Sequence, residues 1–155
     1  DRSPRWEQDL GVKNMKILVI EDDPGHSRLI EKNLRRANVR NDIIKMEDGK
    51  KALDYLFSEG EYDGVENTEN LLVLLDLNLP VIDGFQVLER MKSDDATKHI
   101  PVVILTTSDS PRDISRCYEL GCTVYLTKPV VYGNFAEAIQ KLGLFLSVVS
   151  VPERG

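Results

Sequence analysis

The chain is poor in cysteine and histidine, with two of each in 155 residues. Cys117 and Cys122 form no CxxC pair, and no metal-ligand spacing links them to His26 or His99. Two thiols in a chain this size suit a reducing compartment, so a cytoplasmic location is expected. No apolar run approaches about 18 residues, which excludes a transmembrane helix of ordinary composition. The amino end, DRSPRWEQDLGVKN, has no apolar core and does not read as a signal peptide. Positive charge is in deficit: 20 Lys and Arg stand against 26 Asp and Glu, a formal net charge of −6. That balance argues against sequence-independent nucleic-acid binding, which needs a basic face. Neither GxGxxG nor GxxxxGK followed by Ser or Thr occurs, so a nucleotide or flavin cradle is not expected.

What is present is a hydrophobic content of 41%, enough for the core of one domain. The stretch LLVLLDLNLPVIDG, Leu71 to Gly84, organises the rest. Its five leading apolar residues, Leu71 to Leu75, have no polar face and read as a strand buried on both sides. Asp76 follows at once. Asn78, Pro80, Asp83 and Gly84 then mark a loop, with Gly84 the residue suited to a positive φ.

Four further apolar runs follow the same plan. Met15 to Ile20 ends in Glu21, Asp22 and Asp23, and Pro24 opens a helix with Asp23 as its cap. That helix carries Leu29, Ile30, Leu34 and Ala37 on one face. Asp42 to Met46 is a short strand, and Gly49 to Glu59 has helical spacing. Gly60 to Asn70 is acidic and long for a connection. Phe85 to Met91 is helical. Pro101 to Leu105 is a strand ending in Thr106, Thr107 and Ser108. Pro111 opens a helix that Gly121 closes. Thr123 to Leu126 is followed by Thr127, Lys128 and Pro129. The last helix takes Phe135, Ala138, Ile139, Leu142, Phe145 and Leu146.

Strand and helix alternate five times, which means an α/β fold with a doubly wound parallel sheet. Right-handed crossovers and the flavodoxin-like (βα)5 arrangement give the strand order 2-1-3-4-5. Residues 15–147 are expected to form the domain, with 1–14 a flexible tail and 148–155 an apolar tail.

That order gathers Glu21, Asp22, Asp76, Thr106 and Lys128 at the carboxyl ends of the strands, where open sheets bind ligands. Close carboxylates need a counter-charge to stay ionised. With oxygen ligands only, the natural cation is Mg²⁺, and Mn²⁺ could replace it. A carboxylate beside such an ion can attack a phosphoryl group and become an aspartyl phosphate. Thr106 and Lys128 could donate to the phosphoryl oxygens.

The pieces VIEDDP, LLDLNLPVIDG, VILTTS and YLTKP together resemble the receiver domain of a two-component response regulator, from about Lys16 to about Leu146. The resemblance implies that Asp76 is the phospho-acceptor of a sensor histidine kinase. It implies that Glu21 and Asp22 are the acid pair, with Asp22 the closer metal ligand, and that the Asn78 carbonyl completes the metal shell. Thr106 matches the switch hydroxyl, Tyr125 the switch aromatic and Lys128 the phosphate-contacting lysine, with a cis bond before Pro129. Glu21 departs from the commoner Asp-Asp pair. The loop 60–70 and the tail LSVVSVPERG are most similar to single-domain regulators of phytochrome kinases.

Two other functions compete with this one. A phosphatase working through an aspartyl phosphate needs an acid two residues after its nucleophile, and Asn78 stands there. A module that keeps only the fold would not need Asp22, Asp76, Thr106 and Lys128 together. The expectation is therefore a regulator that catalyses only its own phosphorylation and dephosphorylation. Its output is expected to be protein contact or phosphate relay, because no DNA-binding pattern occurs. Leu144, Val148, Val149 and Val151 add apolar surface to the last helix. A homodimer through helix four, strand five, helix five and the tail is expected to cover it.

Overall fold

The structure, a computed structural model, describes residues 15–65 and 70–150, and side chains as far as residue 142. Five strands and five helices alternate: β1 (Lys16–Ile20), α1 (Pro24–Arg36), β2 (Ile43–Met46), α2 (Gly49–Leu56), β3 (Leu71–Leu75), α3 (Gly84–Lys92), β4 (Val102–Thr106), α4 (Pro111–Leu120), β5 (Val124–Thr127) and α5 (Tyr132–Ser150). The sheet is parallel, in the order β2-β1-β3-β4-β5. This is the flavodoxin-like order that the alternation implied.

The central strands are buried on both faces because each face has its own helices. Ile17, Val19, Leu72, Leu74, Val103 and Leu105 point to one face and meet Ile30 and Leu34 of α1 and Phe135, Ile139 and Leu142 of α5. Leu18, Ile20, Val73, Leu75, Val102 and Ile104 point to the other and meet α2, α3 and Cys117 of α4. The alternation is the period of two that a strand imposes. Each such side chain stabilises the fold by about 1.5–3 kcal/mol on burial. A continuous apolar strand is therefore pinned at the sheet centre.

Helix starts are fixed by side-chain caps. Asp23 Oδ1 accepts from Gly25 N at 2.8 Å and His26 N at 3.0 Å. Asp83 and Gln86 form a reciprocal capping box at α3. Gly121 closes α4 in the left-handed conformation, φ 108°. Lys128–Pro129 is cis.

Three local expectations are not met. Leu29 is 53% exposed, so the buried face of α1 is Ser27, Ile30 and Leu34. Gly84 has no positive φ; in that loop the left-handed residue is Val81, at φ 70°. Ile82 N donates to Pro80 O at 2.8 Å, which closes a γ-turn around Val81. Gly84 is required for space instead. A Cβ there would stand 2.3 Å from the Asp76 carbonyl oxygen. The acidic connection after α2 is also not wholly irregular. It begins with a 3₁₀ turn, Gly60–Tyr62, and the Tyr62 ring meets Tyr55 edge-on at 5.2 Å. The tail 1–14 lies outside the described residues, as do residues 151–155 and the side chains of 143–150 on which the dimer face depends. The helix itself runs to Ser150, past the residue where the apolar tail was expected to begin.

Candidate functional site

Register places the chemistry. β1 and β3 pair with Ile20 opposite Leu75, so both chains leave the sheet at the same level. The next residues on each are acids. Asp76 N donates to Ile20 O at 3.0 Å, and Glu21 N donates to Met46 O at 2.9 Å. The ladder thus continues one step beyond the strands and holds both acids by their backbones. On the other side β4 pairs with β5, Thr106 opposite Thr127, and Lys128 N donates to Thr106 O at 2.7 Å.

The side chains converge. Glu21, Asp22 and Asp76 each offer a carboxylate oxygen, all within 4.8 Å of one another. Glu21 and Asp76 are buried, and Asp22 is exposed. The Lys128 ammonium supplies the counter-charge, bonded to Glu21 Oε1 and, at 3.1 Å, to Asp76 Oδ2. The second oxygen of Glu21 accepts from Asp23 N at 3.1 Å, and Asp76 Oδ1 accepts from Asn78 N at 3.1 Å. Burial pushes the Glu21 carboxyl up, while the hydrogen bond from Lys128 pulls it down. A buried acid held that way is stabilised in its charged form by any added cation.

This donor set fits a divalent metal ion. It is made of carboxylate oxygens, which hard cations prefer, and it leaves an open side through the exposed Asp22. Glu21 and Asp22 also line an open cavity of about 240 Å³ with Arg28 and Lys45 on its wall.

Thr106 is the site's one orphan among the described residues. It is fully buried, and its Oγ1 has no hydrogen-bond partner. A hydroxyl kept that way costs about 1–3 kcal/mol. An acceptor arriving on Asp76, one strand away, would satisfy it. Asn78 meets Asp76 through its backbone N–H. Tyr125 is not part of the carboxylate cluster. It is half-buried, and its hydroxyl donates to Ser108 O at 2.8 Å in the loop that follows Thr106.

Sequence reasoning missed two participants. His26 Nδ1 lies 3.0 Å from Lys128 Nζ. The helix start at Pro24 could have shown it, because it puts His26 in the first turn facing the strand ends. Asp113 accepts from Ser108 Oγ at 2.6 Å and so ties α4 to the loop that Tyr125 touches. That contact is local, five positions apart, and the serines placed before the Pro111 helix start are the signal that could have shown it.

Comparison with known proteins agrees with this fold. A family model for the response regulator receiver domain matches residues 17–140. The response regulator Rcp1 of Synechocystis is 37% identical over 137 residues, 88% of this chain and 92% of that protein. The crystal structure of its manganese(II)-bound form has a TM-score of 0.73 at 36% identity, covering 90% of this chain and 99% of that one. A response regulator receiver domain from Rhodospirillum rubrum is 55% identical, with a TM-score of 0.73, over 90% of this chain and 98% of that one. The phosphorylated cyanobacterial phytochrome response regulator RcpA is 36% identical, with a TM-score of 0.73, over 90% of this chain and 97% of that one. Among the described residues, no helix is long and apolar enough to cross a membrane. The chain belongs to the response regulator receiver domain family.

Proposed function

We propose that the chain is a phosphorylation switch in which Asp76 takes a phosphoryl group from a sensor histidine kinase. One observation carries the reading: of the two buried acids on Lys128, Asp76 is the one that ends the strand paired with β4, whose Thr106 hydroxyl has no partner. A carboxylate oxygen of Asp76 attacks phosphorus, the phosphorus–nitrogen bond to the kinase imidazole breaks, and the imidazole leaves with the bonding pair. Mg²⁺ is the divalent ion proposed here, held by Asp22, Asp76 and the Asn78 carbonyl with Glu21 acting through water, and Mn²⁺ should replace it. When bound, the ion neutralises charge developing on the phosphoryl oxygens.

The chain's own groups do the rest. Lys128 moves its ammonium from the carboxylates to a phosphoryl oxygen. Thr106 donates its unpaired hydroxyl to another. That bond exists only in the phosphorylated state, so it biases a two-state loop. Ser108 follows Thr106, and Tyr125, bonded to Ser108 O, moves with it. The regulator acts on no other substrate, works in the cytoplasm and changes a protein surface rather than binding nucleic acid. A phytochrome-type kinase is the proposed donor, by similarity to RcpA. The proposed self-association through α4, β5, α5 and the tail rests on sequence pattern.

The test is transfer from an autophosphorylated phytochrome-type histidine kinase with Mg²⁺. Label should move to this chain and should stay on the kinase when Mg²⁺ is chelated. Label that stays on the kinase in both conditions contradicts the reading.

A further inference from the structure

The Lys128 ammonium is surrounded by three acceptors. Two are the carboxylates of Glu21 and Asp76. The third is neutral: His26 Nδ1, at 3.0 Å. An ammonium has three N–H donors and no acceptor, so this set saturates it. Nδ1 of His26 must then be bare, with the ring proton on Nε2.

His26 is exposed, but its place in the first turn of α1 is fixed. Its backbone N–H is tied to the Asp23 cap at 3.0 Å. His26 also borders a cavity of about 110 Å³ lined by Ile30, Asn33, Leu105, Pro129, Val130 and Phe135.

We propose that His26 is a positioning residue for Lys128. Phosphorylation of Asp76 requires the ammonium to leave carboxylate oxygens for a phosphoryl oxygen. His26 holds it through that exchange by a bond without charge. A carboxylate in the same place would compete with the phosphoryl group for the ammonium, and an apolar residue would let it fold back onto Glu21. This reading rests on Asp76 as acceptor and Lys128 as its cation.

The test compares the parent with His26→Asn and His26→Leu, using acetyl phosphate as donor at saturating Mg²⁺. Asn keeps an acceptor, Oδ1, one bond beyond Cγ as Nδ1 is; Leu removes it. The maximal labelling rate of His26→Leu should fall about tenfold, near the low end for losing a hydrogen bond to a charged group, while His26→Asn stays within about twofold of the parent. Mg²⁺ affinity should be the same in all three. Long-range ¹⁵N NMR of the parent should show the Nε2–H tautomer of His26, and Lys128→Met should move the Nδ1 resonance. His26→Leu labelled at the parent rate, His26→Asn as slow as His26→Leu, or a proton on Nδ1 overturns the proposal. A parent that takes no phosphoryl group overturns the reading of Asp76 itself, a result the ring spectrum does not depend on.

Discussion

Gly84 and Asp76 meet backbone to backbone. A Cβ on Gly84 would stand 2.3 Å from the Asp76 carbonyl oxygen and 2.6 Å from Leu77 Cα. Neither neighbour is a flexible side-chain end, so the loop carrying Asp76 would have to shift. Gly84→Ala should cost about 2–3 kcal/mol in urea unfolding and slow labelling of Asp76. Gly133 is the control, because nothing lies within 4 Å of its Cβ position. Gly133→Ala should be neutral or stabilising by about 0.5–1 kcal/mol, since it lies within α5.

Thr106 separates stability from switching. Its buried hydroxyl has no partner, so Thr106→Val removes a desolvated donor and keeps the shape. The unphosphorylated variant should gain about 1 kcal/mol in chemical unfolding. The same variant should lose the change in the Tyr125 NMR environment that beryllofluoride causes in the parent. A destabilised Thr106→Val with a normal response would contradict this assignment.

The acid cluster should make stability depend on divalent cations. Mg²⁺ at about 100 times its Kd should add about 2.7 kcal/mol to the unfolding free energy. Asp22 is exposed, so Asp22→Ala should leave the ion-free protein nearly unchanged. Isothermal titration should show its Mg²⁺ affinity lowered at least about tenfold. Parent-like affinity would place the ion elsewhere.

The buried thiols set an alkaline limit. Burial pushes Cys117 up to about 11 and Cys122 up to about 12, from an ordinary 9.0. Their folded values are raised, so the stability they contribute is complete below pH 9.0 and is lost as pH rises through 11 and 12. Each thiol should steepen the fall by at most about 1.4 kcal/mol per pH unit. Urea midpoints between about pH 8 and about pH 10.5 should drop faster in the parent than in Cys117→Ala/Cys122→Ala. Parallel curves would contradict the assignment.

Most of the architecture could be read from residue pattern, because strands buried on both faces leave unbroken apolar runs, and Leu71 to Leu75 is the clearest. The site was legible for the same reason. Glu21, Asp76, Thr106 and Lys128 all stand at strand ends, and strand order alone brings them together. What pattern could not show depends on tertiary closeness. Val81 is β-branched and exposed yet left-handed, because Pro80 and Gly49, whose N–H reaches Pro80 O at 3.5 Å, hold the loop around it. Leu29 falls on the helical stripe but is exposed, and Ser27, Ile30 and Leu34 take the buried face of α1. His26 acts through Lys128, 102 positions along the chain.

The central claim is that Asp76 takes the phosphoryl group. The direct measurement is intact mass after incubation with acetyl phosphate and Mg²⁺, for the parent and for Asp76→Asn. The parent should gain the mass of one phosphoryl group, lose it in mild base as acyl phosphates do, and gain none without Mg²⁺; Asp76→Asn should gain none at all. Equal labelling of Asp76→Asn, or a parent that is never labelled, would contradict the account.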